Sequence, residues 1–163
     1  METKELVDRL FDRCYRLIAR RPRSRKEVED YIKRKAFRLK RVFKVEEIIS
    51  LTIKRLEEQG LVNDTEFVSW WVEQRTYFRP KGIRALKQEL LKKGMSKQVI
   101  DNYLDDNPVD EKKMAIQVLS KRWPRFQTLP LDQRAQKAQR FLLSRGFSYE
   151  TAKKTFALLE KKE

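Results

Sequence analysis

LLKKGMS occupies residues 90–96 and LLSRGFS residues 142–148, 52 positions apart in a chain with only four glycines. Each string reads as one helix ending and the next beginning. Leu90 and Leu91 extend an apolar stripe from Ile83 and Leu86, at the i, i+3, i+7, i+8 spacing of a helix face. Gly94 then ends the helix, because the residue after a helix C-terminus commonly turns left-handed and glycine does so without penalty. Met95 folds back on the last turn and Ser96 caps the next helix. Ala138, Leu142, Leu143, Gly146, Phe147 and Ser148 repeat the pattern. Beyond the strings, Ile100 and Leu104 correspond to Ala152 and Phe156.

An earlier, degenerate copy aligns Val28, Ile32, Ala36 and Phe37 with Leu86, Leu90, Gly94 and Met95, with Ala36 in place of the glycine. Ser24-Arg25-Lys26-Glu27 reads as a capping box opening that helix. Gly60 ends another helix, and Asn63-Asp64-Thr65-Glu66 starts its successor. The spacing predicts helices near 3–20, 25–36, 45–59, 64–78, 83–93, 97–105, 110–123, 132–144 and 149–161, in three groups of three. A period near 50 residues makes each group one supersecondary unit. The expected fold is all-α: three tandem three-helix, helix-turn-helix-like repeats stacked into an elongated array. The expected boundaries are 1–62, 63–107 and 108–163, with helix interrupted at Asp105-Asp106-Asn107-Pro108.

The chain has no histidine and one cysteine, Cys14, among 163 residues. That excludes an internal disulfide, a Ser-His-Asp triad, a Cys-His pair and a tetrahedral thiolate site. The glycines at 60, 82, 94 and 146 are too scattered for a phosphate-binding loop. Carboxylate pairs such as Glu46-Glu47, Glu57-Glu58 and Asp105-Asp106 read as solvated helix surface. Phe67, Trp70 and Trp71 read as a core stripe, as does Trp123 with Val118 and Leu119. Cys14 joins Leu6, Leu10, Leu17 and Ile18 as a small apolar residue. No enzyme, metal or cofactor is expected. No apolar run is long enough for a signal peptide or a membrane span, so a soluble cytoplasmic protein, a monomer without membrane contact, is expected.

Net charge is +15, and it is uneven: +7 over residues 1–60, zero over 61–110 and +8 over 111–163. Two basic ends around a neutral middle point to a polyanion. The densest stretch, Ala19–Lys44, holds twelve basic residues against three acidic ones. Its candidates for phosphate contact are Arg20, Arg21, Arg23, Arg25, Lys33, Arg34, Lys35, Arg38, Lys40, Arg41 and Lys44. The helix dipole accounts for two or three cations near a helix C-terminus, not for all of these. The last unit adds Arg140, Arg145, Lys153 and Lys154.

In this order, RRPRSRKEVEDYIKRK, LEEQGLVNDTEFVSWWVEQR, KGIRALKQELLKKGMS and KAQRFLLSRGFSYETAKKTF resemble successive signatures of the RecX family, regulators of the bacterial RecA recombinase. The resemblance covers about residues 10–160. It implies three tandem three-helix repeats, no cofactor, binding to RecA nucleoprotein filaments with modulation of ATP hydrolysis and strand exchange, contact with single- or double-stranded DNA, and a place in DNA repair, recombination and the SOS response. Gly60, Asp64 and Phe67 match the family's Gly-apolar-x-Asp-x-x-Phe string, Arg75 a basic position after the aromatic helix, and Gly82 a glycine before the next helix. Ile83 stands where the family usually has proline, with Pro80 earlier. The high positive charge is not part of the family pattern. The expected function is therefore a filament modulator, most simply an inhibitor; the alternative is a DNA-binding regulator that acts without RecA.

Overall fold

The computed structural model describes residues 3–37 and 45–161. These residues form helices joined by short turns, with no strand among them: α1 (Thr3–Ile18), α2 (Arg25–Phe37), α3 (Val45–Glu58), α4 (Asp64–Tyr77), α5 (Ile83–Lys92), α6 (Lys97–Asp106), α7 (Glu111–Ser120), α8 (Trp123–Gln127), α9 (Leu131–Ser144) and α10 (Tyr149–Glu160). By its contacts the chain divides into two compact units: Met1–Trp70 with Lys92–Ser96, and Trp71–Leu91 with Lys97–Glu163.

In the first unit, the α1 stripe of Leu6, Leu10 and Cys14 meets Val28 and Ile32 of α2 and Ile48, Ile53 and Leu56 of α3 in one buried core. Leu17 and Ile18, at the end of that stripe, are half-buried. Burial pushes the Cys14 thiol up to about 12, so it serves as packing. The capping box at α2 forms in both directions. The Glu27 amide donates to Ser24 Oγ (3.2 Å) and the Ser24 amide to a Glu27 carboxylate oxygen (3.4 Å). At α4, Asn63 Oδ1 accepts from the amides of Thr65 (3.0 Å) and Glu66 (3.3 Å). Ala36, aligned with Gly94 in the sequence, is buried and still helical, so the degenerate copy does not end its helix there.

Each glycine string docks on the start of an earlier helix. Ser24 Oγ donates to the Lys93 carbonyl (2.8 Å), next to Gly94. In the second unit the Gly82 amide donates to the Arg145 carbonyl (3.0 Å), next to Gly146. Both string glycines are left-handed, with φ of 92° at Gly94 and 84° at Gly146. Both are also crowded. A Cβ would lie 2.6 Å from Lys26 Cβ at Gly94 and 2.3 Å from Ala85 Cβ at Gly146. Gly82 allows close backbone approach from the other side, where a Cβ would meet the Gly146 carbonyl oxygen at 2.1 Å. The repeated string is thus a joint between repeats as well as a helix end.

The core of the second unit gathers Met114, Ala115 and Leu119 of α7, Trp123 of α8, Ala138 and Leu142 of α9, and Phe147, Ala152 and Leu159. Ser148 caps α10 by accepting from the Thr151 amide (3.0 Å). The helix expected over 110–123 ends sooner. Pro124 has no N–H to continue an i→i−4 ladder and instead sits in the opening turn of α8, which follows Arg122 at φ −111°, ψ −4°. One further expectation is corrected. Leu91, placed on the buried stripe, is 47% exposed, because the face carrying Leu86 and Leu90 turns it about 100° away.

Candidate nucleic-acid and filament interface

The basic residues singled out from the sequence fall into distinct environments. Arg20, Lys33 and Arg34 are exposed, and so are Arg140 and Lys153. Among the described residues no carboxylate pairs with any of the five, so their charges face solvent. Lys35 lies 5.4 Å from the Tyr31 ring centre. Arg38, Lys40, Arg41 and Lys44 lie outside the described residues.

Others hold internal partners. Arg21 pairs with Glu27 (2.9 Å) and lies 5.6 Å from the Trp70 ring. Arg25 pairs with Glu57 (2.7 Å) and Glu29 (3.1 Å), and its amide donates to Asp64 (2.8 Å). That amide is one of the unpaired donors at the start of α2, so Asp64 joins α2 to the beginning of α4. Burial would raise the Glu27 carboxyl, but hydrogen bonds from Arg21 and Lys93 outweigh it and hold the group at about 2. Arg23 Nε is buried and has no hydrogen-bond partner among the described residues. Burial, followed by the Arg21 charge, lowers the pKa of that guanidinium.

In the second unit Arg75 pairs with Glu89 (2.7 Å) and stacks 4.6 Å from the Trp71 ring, whose Nε1 donates to the same carboxylate (3.0 Å). Lys81 also binds Glu89. Burial raises the Glu89 pKa, but the donors from Lys81, Arg75 and Trp71 lower it below its ordinary value. Trp70 and Trp71, expected in the core, are both half-buried. Lys154 pairs with Glu150 one turn away, an exposed pair worth little.

Arg145 lies 4.9 Å from the Phe141 ring centre, and Arg122 lies 5.1 Å from the same ring. Both border a cleft of about 340 Å³ that Phe78, Arg79, Lys81 and Lys121 also line. Of these, the sequence reading had selected only Arg145. The available signals were an aromatic-basic pair after α4, Phe78-Arg79, and a basic pair before a helix break, Lys121-Arg122.

Three family models match in order: the first three-helix domain of RecX over residues 11–56, the second over 63–104 and the third over 110–156. The chain is 31% identical over 145 residues to the "Regulatory protein RecX" of Chlorobium phaeobacteroides (strain BS1), covering 89% of each. It is 29% identical over 136 residues to that of Thermobifida fusca (strain YX), covering 83% of this chain and 70% of that one. Against the Oceanobacillus iheyensis relative, 31% identical over 119 residues, it spans only 41% of the longer protein. A crystal structure of RecX from Lactobacillus salivarius superposes with a TM-score of 0.75 at 23% identity, over 96% of this chain and 98% of that one, and so shares its fold. Three RecX domain models laid in order along one chain, together with 31% identity to a named relative over most of both lengths, place this protein in the RecX family.

Proposed function

We propose that this protein binds RecA–DNA filaments and slows their ATP turnover and strand exchange, without catalysing a reaction itself. The observation that carries the proposal is its membership of a family of proteins named as regulators. Exposed cations without carboxylate partners support the DNA half of the reading: Lys33 and Arg34 on α2, Arg140 on α9 and Lys153 on α10. Their charge is available to phosphates, single- or double-stranded, and releasing condensed counterions would drive the contact. The near-neutral residues 63–107 would meet protein, flanked by basic repeats at 1–62 and 108–163. The protein would act in the cytoplasm as a monomer and need no cofactor.

The test is ATP hydrolysis by cognate RecA on single-stranded DNA, with this protein added either before or after the filament has formed. A filament modulator slows turnover on preformed filaments. A protein that only sequesters free DNA loses its effect there. The second reading, a DNA-binding regulator that does not act through RecA, is favoured by the net charge of +15. It predicts discrimination of more than about a thousandfold between one duplex sequence and scrambled DNA.

A further inference from the structure

The cleft in the second unit has an unusual lining. Its charged residues are Arg79, Lys81, Lys121, Arg122 and Arg145, and no acid lines it. Glu89 neutralises Lys81 from outside. The other four have no carboxylate partner among the described residues. Gathering unpaired like charges around one concavity costs energy that an anion would recover. Beside them Phe78 leaves its ring 72% exposed, and Tyr77 before it is 71% exposed. A planar apolar partner would cover the Phe78 ring at the edge of the cleft. The Phe141 ring lies about 5 Å from both the Arg122 and the Arg145 guanidinium carbons (5.1 and 4.9 Å), which places two forked donor groups beside one rigid surface.

The occupant must therefore carry negative charge and a flat apolar face within one short reach. An acidic polypeptide supplies the charge, but a flat face only where an aromatic side chain falls beside it. Duplex DNA supplies the phosphates but keeps its base faces stacked inside. A single strand alternates phosphates with free base faces. The volume, about 340 Å³, lies at the small end of the range for one bound group, about 300–1,000 Å³. We propose that this cleft holds one nucleotide of a single strand, its base stacked on Phe78 and its phosphate held among Arg79, Lys121, Arg122 and Arg145. The proposal deepens the filament reading by way of its DNA contact, moves Phe78 and Arg79 of the middle repeat from the protein-facing side to the DNA, and can be tested on the protein alone.

The experiment measures fluorescence anisotropy of a labelled oligothymidylate, and of an abasic strand of the same length, with the full chain and no RecA. The expected result is that loss of the bases weakens binding about tenfold, and that Phe78→Ala weakens oligothymidylate binding by a similar factor while leaving the abasic strand unaffected. Phe78→Tyr should keep the preference, and Lys121→Glu with Arg122→Glu should weaken both strands. Melting curves confirm that each variant is folded. Phe78→Trp gives a second readout, because oligothymidylate should quench its added emission and the abasic strand should not. Equal wild-type affinity for the two strands overturns the proposal, and so does a base preference that survives Phe78→Ala. Competition by polyglutamate as effective as that of the strand would reassign the cleft to an acidic polypeptide, and tighter binding of duplex would remove the stacking. A protein that fails here yet slows preformed filaments loses the cleft and keeps the filament reading; the reverse result does the opposite.

Discussion

Ser24 Oγ donates to the Lys93 carbonyl across 69 residues of chain, and the same oxygen accepts from the Glu27 amide. One hydroxyl thus caps α2 and fastens it to the end of α5. Ser24→Ala leaves a helix-start amide and a carbonyl without this partner at a site with no solvent exposure. A loss of about 2 kcal/mol is expected from urea denaturation. A loss under about 0.5 kcal/mol would mean that the joint carries no stability.

Gly146→Ala combines a left-handed backbone with a clash. The new methyl would sit 2.3 Å from Ala85 Cβ and 2.6 Å from its nitrogen. Destabilisation of about 3 kcal/mol or more is expected. Gly60→Ala is the control, since Gly60 has φ 66° but no atom within 4 Å of the added carbon. Its cost should be about 1 kcal/mol, from the backbone alone. Equal losses at the two sites would show that the close approach at Gly146 costs nothing.

Acid should act through Glu27. Its folded value, about 2, lies below its ordinary 4.5. The stability it contributes is therefore complete above about pH 4.5 and is lost as pH falls toward 2, to a limit of roughly 3 kcal/mol. Glu27→Gln removes that contribution at neutral pH and flattens the acid side of the stability profile. Urea midpoints of both proteins across this range provide the check; parallel profiles would assign the acid sensitivity to other groups.

Charge reversal separates solvent-facing cations from paired ones. Lys33→Glu with Arg34→Glu alters two exposed residues near the end of α2, so melting should fall only slightly, by the lost dipole contribution. If both contact phosphates, the slope of log affinity against log salt should become shallower by roughly 2 on duplex DNA. Arg25→Glu should instead lower stability, because it turns the contacts with Glu57 and Glu29 repulsive. Unchanged affinity and slope in the double variant would make that face of α2 a solvated surface only.

The helices were legible because their signals are local. Ser24 to Glu27 spans one turn, Asn63 caps residues two and three positions on, and the two glycine strings mark helix ends by themselves. The stop at Ser120 was missed because the apolar pattern runs on to Trp123, and only Pro124, one residue later, breaks the ladder. The fate of the cations was not legible. Arg25 meets Glu57 32 residues away, and Lys93 meets Glu27 66 residues away. Nothing near Arg25 in the sequence separates it from Lys33, which has no such partner. The cleft was hidden for the same reason, since Phe78 and Phe141 come to line one cavity only through the tertiary fold.

The two joints differ in how they will tolerate genetic change. At the first, the donor is the hydroxyl of Ser24, and a single base substitution in its codon can remove it. At the second, the donor is the backbone amide of Gly82, which every residue except proline would retain. The space at Gly82 allows no such freedom, because any side chain would collide with the main chain of Gly146. Position 24 is therefore restricted by the chemistry of its side chain and position 82 by volume. In a saturation library selected for folding, threonine is the substitute to look for at the first, and glycine alone should persist at the second.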